Sequence, residues 1–118
     1  MEKKIELKAA QRLQQFIGAM ANLNPKHTGI PNVVIWISKK EPTHACRVKV
    51  SNIKGKYSPT DNFSIRLHDG SIEGDAKVSQ KDLSNVREWI ELNRETILRF
   101  WDDDEYDALD LAQDLKKI

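Results

Sequence analysis

Two hydrophobic periods divide this chain. From Ile5 to Leu23 the apolar residues Ala9, Leu13, Phe16, Ile17, Met20 and Leu23 recur at three- and four-residue steps, which predicts an amphipathic helix with one buried face. The stretch "NPKHTGIPN" follows, and its two prolines and glycine predict a loop that ends the helix. The period then changes to two. "NVVIWISKK" reads as a strand with Val33, Ile35 and Ile37 on one face and Val34 and Trp36 on the other, so both faces are expected to be at least partly covered. "HACRVKVSN" alternates more cleanly, with Cys46, Val48 and Val50 inward and Arg47 and Lys49 outward. "IKGKYSPTDN" has the composition of a mobile, basic loop. "FSIRLHDGSIEGD" reads as a hairpin, with Phe63, Ile65 and Leu67 inward, a two-residue turn at Asp69-Gly70 and a return strand around Ile72.

Helical spacing resumes after Ser79, a good N-cap with Asp82 three residues on, close to a capping box; Val78 and Leu83 are placed for a hydrophobic staple. Leu83, Val86, Ile90, Ile97 and Phe100 form the stripe of one helix, widened by Trp89 and Trp101 and interrupted by Asn93. Ala108, Leu111, Ala112, Leu115 and Ile118 predict a last helix, with Lys116 and Lys117 at its negative end. The expected fold is α+β: a small antiparallel sheet of three to four strands, with an N-terminal helix and two C-terminal helices packed on it. A single domain over 1–118 would comprise the N-terminal helix (1–24), a sheet plus helix (31–103) and the C-terminal helix (104–118).

Composition fits one such core. The 118 residues are 39% apolar and 31% charged, as in a globular domain. The opening "MEKKIELK" has no apolar stretch of the secretory-signal kind, and no apolar run reaches the roughly 20 residues that span a bilayer. A cytoplasmic protein without membrane contact is expected. The single cysteine, Cys46, fits a reducing compartment and allows no internal disulfide. Charge is unevenly spread: residues 1–57 hold 11 Lys/Arg against 3 Asp/Glu, and residues 58–118 hold 8 against 15. In one small domain the two halves are expected to lie together and partly neutralise, although such polarity also suits steering of a charged partner.

The run "IRLHDGSIEGDAKVSQKDLSNVREWIELNRETILRFWDD" resembles the C-terminal part of the bacterial family called Domain of Unknown Function 4160. Val86, Glu88, Trp89, Glu91, Leu92, Arg94, Glu95, Leu98 and Trp101 stand in the register of that family's helix, and "EPTHACRV" is similar to its "PPHFH" segment. The likeness covers roughly residues 31–103. It departs at two places: Cys46 stands where the family's histidine pair has its second histidine, and Asn93 replaces the histidine of "ELHRE". The resemblance implies a small protein of bacteria or their mobile elements, belonging to a toxin–antitoxin-like pair with a partner encoded beside it. It implies no catalytic mechanism.

The residues themselves offer four kinds of chemistry. His44 and Cys46 lie two apart on one strand face and are ligand types that suit zinc, with His27 and His68 elsewhere. Their spacings match no recognised site, and Cys46 is in phase with Val48 and Val50, so a buried small thiol is the weightier reading. No metal or cofactor is expected. His44 and His68 are the acid/base candidates should the chain be an RNA-cleaving toxin. Arg47, Lys49 and Arg66 share the outward sheet face with Trp36, and Lys39, Lys40, Lys54 and Lys56 would extend it. Cations beside a ring resemble a generic RNA-binding platform; the alternative is a solvated or covered face. Asp102, Asp103, Asp104, Glu105 and Asp107 lack the spacing of a calcium loop. Asp103 or Asp104 is expected to cap the last helix, with Glu105 and Asp107 stabilising its positive end by ~0.3–1 kcal/mol each. Capping leaves most of these side chains exposed for a basic partner.

The expectation that follows is a small non-catalytic interaction protein of a bacterial or mobile-element toxin–antitoxin-like system, acting by binding a protein partner. The alternatives are an RNA-cleaving toxin with a basic sheet face, and a phage-encoded binder that inhibits a host defence protein. Oligomeric state is open.

Overall fold

Alternating apolar residues build the sheet that everything else rests on. The computed structural model describes residues 20–118. Five strands, β1 (Met20–Leu23), β2 (Ile35–Ser38), β3 (Arg47–Ser51), β4 (Asn62–Arg66) and β5 (Ile72–Glu73), form one antiparallel sheet in the order β1-β2-β3-β4-β5. Because side chains two apart share a face, the register creates cross-strand rows. One row is Ala21–Ile37–Val48–Ile65–Ile72; the next is Leu23–Ile35–Val50–Phe63. Onto them pack α2 (Gln80–Leu92), α3 (Arg94–Asp102) and α4 (Ala108–Asp114), through Val86, Trp89, Ile90, Ile97, Phe100 and Leu111. Each such large apolar side chain contributes about 1.5–3 kcal/mol on burial. The fold is α+β, with the inward faces of β2, β3 and β4 where alternation placed them.

The N-terminal helix expected over 1–24 is corrected at its end. Residues 1–19 lie outside the described residues, but Met20–Leu23 is a strand, and it raises the strand count to five. Ala21 and Leu23 sit opposite Ile37 and Ile35, so the same apolar residues that fit a helical step also fit a strand once β2 is alongside. Pro25 then holds Asn24 extended (φ −117°, ψ −178°). Asn24 caps a short helix, α1 (Pro25–Thr28), within the expected loop; its Oδ1 accepts from the Lys26 N–H at 2.9 Å.

Two turns also differ in detail. The β4–β5 loop has five residues, Leu67 to Ser71, rather than two. Arg66 N–H donates to the Ser71 carbonyl at 2.9 Å, while Leu67 N–H continues the ladder to Cys46 at 3.0 Å and keeps its side chain in the core. The basic loop after β3 is bonded down rather than free. Ser51 Oγ donates to the Lys56 carbonyl at 2.6 Å, Gly55 N–H to Asn32 at 2.8 Å, and Asn52 Nδ2 to Asp61 Oδ1 at 2.9 Å.

The long C-terminal stripe is two helices, not one. Ser79 caps α2 as expected, accepting the Asp82 N–H at 3.1 Å, without the reciprocal bond of a full capping box. Asn93 (φ −115°, ψ 16°) ends α2 and begins α3. Only 2% exposed, it donates from Nδ2 to the carbonyls of Trp89 (3.0 Å) and Lys116 (2.9 Å) and accepts the Lys116 N–H on Oδ1 (2.8 Å). The chain after α4 is thereby tied across the α2–α3 junction. Its Ile118 N–H then donates to the Thr28 carbonyl at 3.0 Å. Gly29 is needed there: its φ is +78°, and a Cβ would stand 2.6 Å from the Ile118 carbonyl oxygen.

Asn93→Ala should leave the Lys116 N–H and carbonyl without their Asn93 partner, while the Trp89 carbonyl keeps the backbone N–H of residue 93, and we expect a loss of about 1–2 kcal/mol in urea denaturation. Amide exchange at Lys116 and Ile118 should accelerate before global unfolding. An unchanged midpoint would show that the tail contributes nothing to the fold.

Candidate functional site

The acidic run after α3 is an organised corner. Asp103 N–H donates to the Arg99 carbonyl at 2.9 Å and closes the helix; Asp103 Oδ1 then accepts the Glu105 N–H at 3.0 Å, and Tyr106 N–H returns to the Asp103 carbonyl at 3.1 Å. The cap of α4 is Asp107, not Asp103 or Asp104. Asp107 Oδ1 accepts the Asp110 N–H at 2.9 Å, and Asp110 Oδ2 accepts the Asp107 N–H at 3.1 Å, a reciprocal box with aspartate in both places. The Asp-x-x-Asp spacing from 107 to 110 carried that signal; Asp103 instead serves the turn.

Three residues outside the sequence-derived partner set hold the corner. Lys39, at the end of β2, donates from Nζ to the Asp103 carbonyl at 2.7 Å and to the Tyr106 carbonyl, and lies 4.1 Å over the Phe100 ring. Burial pulls its ammonium below the ordinary lysine value, opposed by Asp104, Asp103, Asp107 and Asp110. Tyr106 is buried, with the Arg99 guanidinium 4.2 Å over its ring and its hydroxyl donating to Asp114 Oδ2 at 2.6 Å. Burial, then the Asp114 carboxylate, hold that phenol far above its usual range, so it remains a donor. Arg99, Asp103, Glu105, Tyr106, Asp110 and Asp114 border a cleft of about 330 Å³. Between Arg99 and Asp114 the sequence carries seven carboxylates and one cation. Asp102 reaches Lys40 at only 4.0 Å, and Asp104 and Glu105 are exposed with no side-chain ion pair among the described residues.

The basic candidates do not gather into one open face. Lys39 and Lys40 turn to the acidic corner. Trp36 is 2% exposed, with the Tyr57 ring 4.8 Å away at 59°, so it presents no surface on which a base can stack. Arg47 is buried at 7% exposure, 3.6 Å from Glu41, and directly opposite Arg66, which pairs with Glu73 at 2.9 Å. Among the described residues Arg47 Nη1 has no hydrogen-bond partner. Lys49 is half-buried, and Lys54 and Lys56 stand exposed on the loop after β3. On this outward face the covered alternative is the one realised at Trp36 and Arg47.

The remaining candidates stay apart as well. His44 and His68 are exposed on separate loops, each beside its own carboxylate: Glu41 at 3.8 Å and Asp69 at 3.4 Å. Cys46 packs against the core, and burial, reinforced by Asp102, pushes its thiol up to about 12. A thiol so raised is a poor nucleophile near neutrality. Among the described residues no group of three His, Cys, Asp or Glu side chains is arranged to hold a metal, and no helix is long and apolar enough to cross a membrane. Trp89, fully buried, leaves its indole N–H without an acceptor among the described residues; Asn93 serves the Trp89 backbone carbonyl instead.

Lys39→Met should cost about 1–3 kcal/mol in urea denaturation, since charge-assisted bonds to two carbonyls are lost, and should speed amide exchange at Asp103 to Tyr106. Cys46 should be alkylated slowly by iodoacetamide at pH 8 in the folded protein and rapidly in urea. Because folding raises its value from 9.0 to about 12, the folded state favours the thiol, and this contribution to stability is present below pH 9 and fades as pH rises toward 12. Rapid alkylation of the native protein at pH 8 would contradict the burial. Compared with known proteins, the chain matches no protein-family model, no curated protein and no solved structure.

Proposed function

We propose that this chain acts by binding a protein partner, offering the acidic corner between α3 and α4 to a basic surface. One observation carries the reading: the corner's backbone is held internally, by Lys39, Tyr106 and the Asp107–Asp110 cap, while Asp104 and Glu105 stay exposed beside the cleft. Carboxylates fixed before an encounter lose little freedom on binding, and at a rim they raise association rate and salt sensitivity. The role needs no catalytic centre. The family resemblance adds the setting, a toxin–antitoxin-like system with the partner encoded nearby.

The test is recovery of partners from the native host with wild-type chain and with a Asp104→Lys/Glu105→Lys double variant. Both positions are exposed, so the variant should fold normally by circular dichroism. A specific protein should be recovered by the wild type at low salt, be released as salt is raised, and be missing from the double variant. Equal recovery by the double variant removes the corner from the interface. Recovery of RNA in place of protein would favour the RNA-cleaving alternative.

A further inference from the structure

The loop after β3 leaves two large apolar side chains outside on a hydrogen-bonded backbone. Its five residues from Ile53 to Tyr57 are all exposed. Within the turn, Ser51 Oγ accepts the Ile53 N–H at 3.0 Å, Lys56 N–H donates to the Ile53 carbonyl at 3.2 Å, and Gly55, at φ +72°, donates to Asn32. Single apolar residues on a surface carry no message. Here Ile53 (40% exposed) and Tyr57 (42%) share one short turn, with Lys54 and Lys56 between them. The buried Trp36 ring, 4.8 Å away and tilted by 59°, supports one side of the Tyr57 ring. Ser51 N–H donates to the Val34 carbonyl, so the loop stands at the opposite end of β2 from Lys39 and the acidic corner. Five residues of strand, roughly 17 Å, separate them. Among the described residues no ion pair engages Lys49, Lys54 or Lys56. The carboxylates of this end are Asp61, held by Asn52 and Lys77, and Asp75 and Asp82, which stand with Lys77 and Lys81 on the segment leading into α2. Cations outnumber them.

We propose that this loop binds single-stranded nucleic acid. One base stacks on the outward side of Tyr57, Lys54 and Lys56 pair with the flanking phosphates, and Ile53 packs against a neighbouring base or sugar. Lysines alone suit any anion; a supported ring beside them suits bases. Every base has a face to stack, so the single strand is recognised rather than its sequence. An anionic membrane would also meet the lysines, but two half-exposed side chains offer far less apolar surface than a single acyl chain, which itself anchors only marginally. The site needs no catalytic group and does not depend on what the acidic corner binds.

The experiment titrates the full chain into fluorescein-labelled oligouridine of about 12 nucleotides and follows anisotropy between about 50 and 200 mM salt. The wild type should bind the single strand more tightly than a duplex of equal length, with log K falling against log salt at a slope of about −1.4, as for two phosphates. Tyr57→Ala should weaken binding about tenfold and leave the slope unchanged, whereas Tyr57→Phe keeps the ring and should bind as the wild type does. Lys54→Gln/Lys56→Gln should flatten the slope. Unchanged affinity in Tyr57→Ala would reduce the loop to plain surface charge and overturn the proposal, as would equal or tighter binding of the duplex. Should Tyr57→Ala fail to fold, the lysine pair, both at exposed positions, decides: an unchanged slope there overturns it. So does absence of binding at 50 mM salt, and so does binding to phosphatidylserine vesicles with none to the oligonucleotide. Each of these failures leaves the acidic-corner reading standing, since partner recovery tests that separately.

Discussion

A buried amide at the junction of α2 and α3 sets the arrangement of the whole C-terminal half. Asn93 spends both of its Nδ2 hydrogens and its Oδ1 on backbone groups, and two of those three bonds go to Lys116, 23 residues away. A helix continuing straight from Gln80 to Asp102 would carry Asn93 as an unsatisfied polar group in an apolar stripe, which is costly. Breaking there turns the defect into a clamp. The break lets α2 and α3 each lay their own apolar residues on the sheet, and the clamp draws the last residues back against α1, where Gly29 leaves room for Ile118.

The opposed charges of the two sequence halves meet inside the molecule, but unevenly. Lys39 reaches from the basic half to the carbonyls of the acidic run rather than to its carboxylates. It therefore fixes the shape of the corner and leaves much of the corner's negative charge outward. Arg47 and Trp36, on the outward sheet face, are covered instead. Of the two charged features, the basic face is closed at Trp36 and Arg47, and the acidic corner is exposed at Asp104 and Glu105 over a hydrogen-bonded backbone. Helix α4 borders both the acidic cleft and a groove lined by β1.

Much of this was legible in the chain. The inward positions of β2, β3 and β4, the cap at Ser79, the apolar stripe from Val86 to Phe100 and the helix around Leu111 follow from periods of two and 3.6, which need only near neighbours in sequence. So does the placement of Cys46 with Val48 and Val50. The candidate corner was visible as an acidic run, though not the bonds that hold its backbone, since Lys39 lies 64 residues from Asp103 and no local pattern joins them.

Tertiary structure decided what two periods left ambiguous or what distant partners supply. Met20 and Leu23 fit a helical step, and Ala21 and Leu23 fit a strand; Ile35 and Ile37 alongside settle it in favour of β1. Asn93 could be an interruption or a break, and only Lys116 makes it a break. Trp36 could be a platform or a covered ring, and Tyr57 with the close burial of the outward face makes it covered. The sequence by itself determined which residues would face the core, because burial is written in local spacing. The edge, the break and the open corner depend on contacts between residues far apart in the chain, which local spacing does not encode.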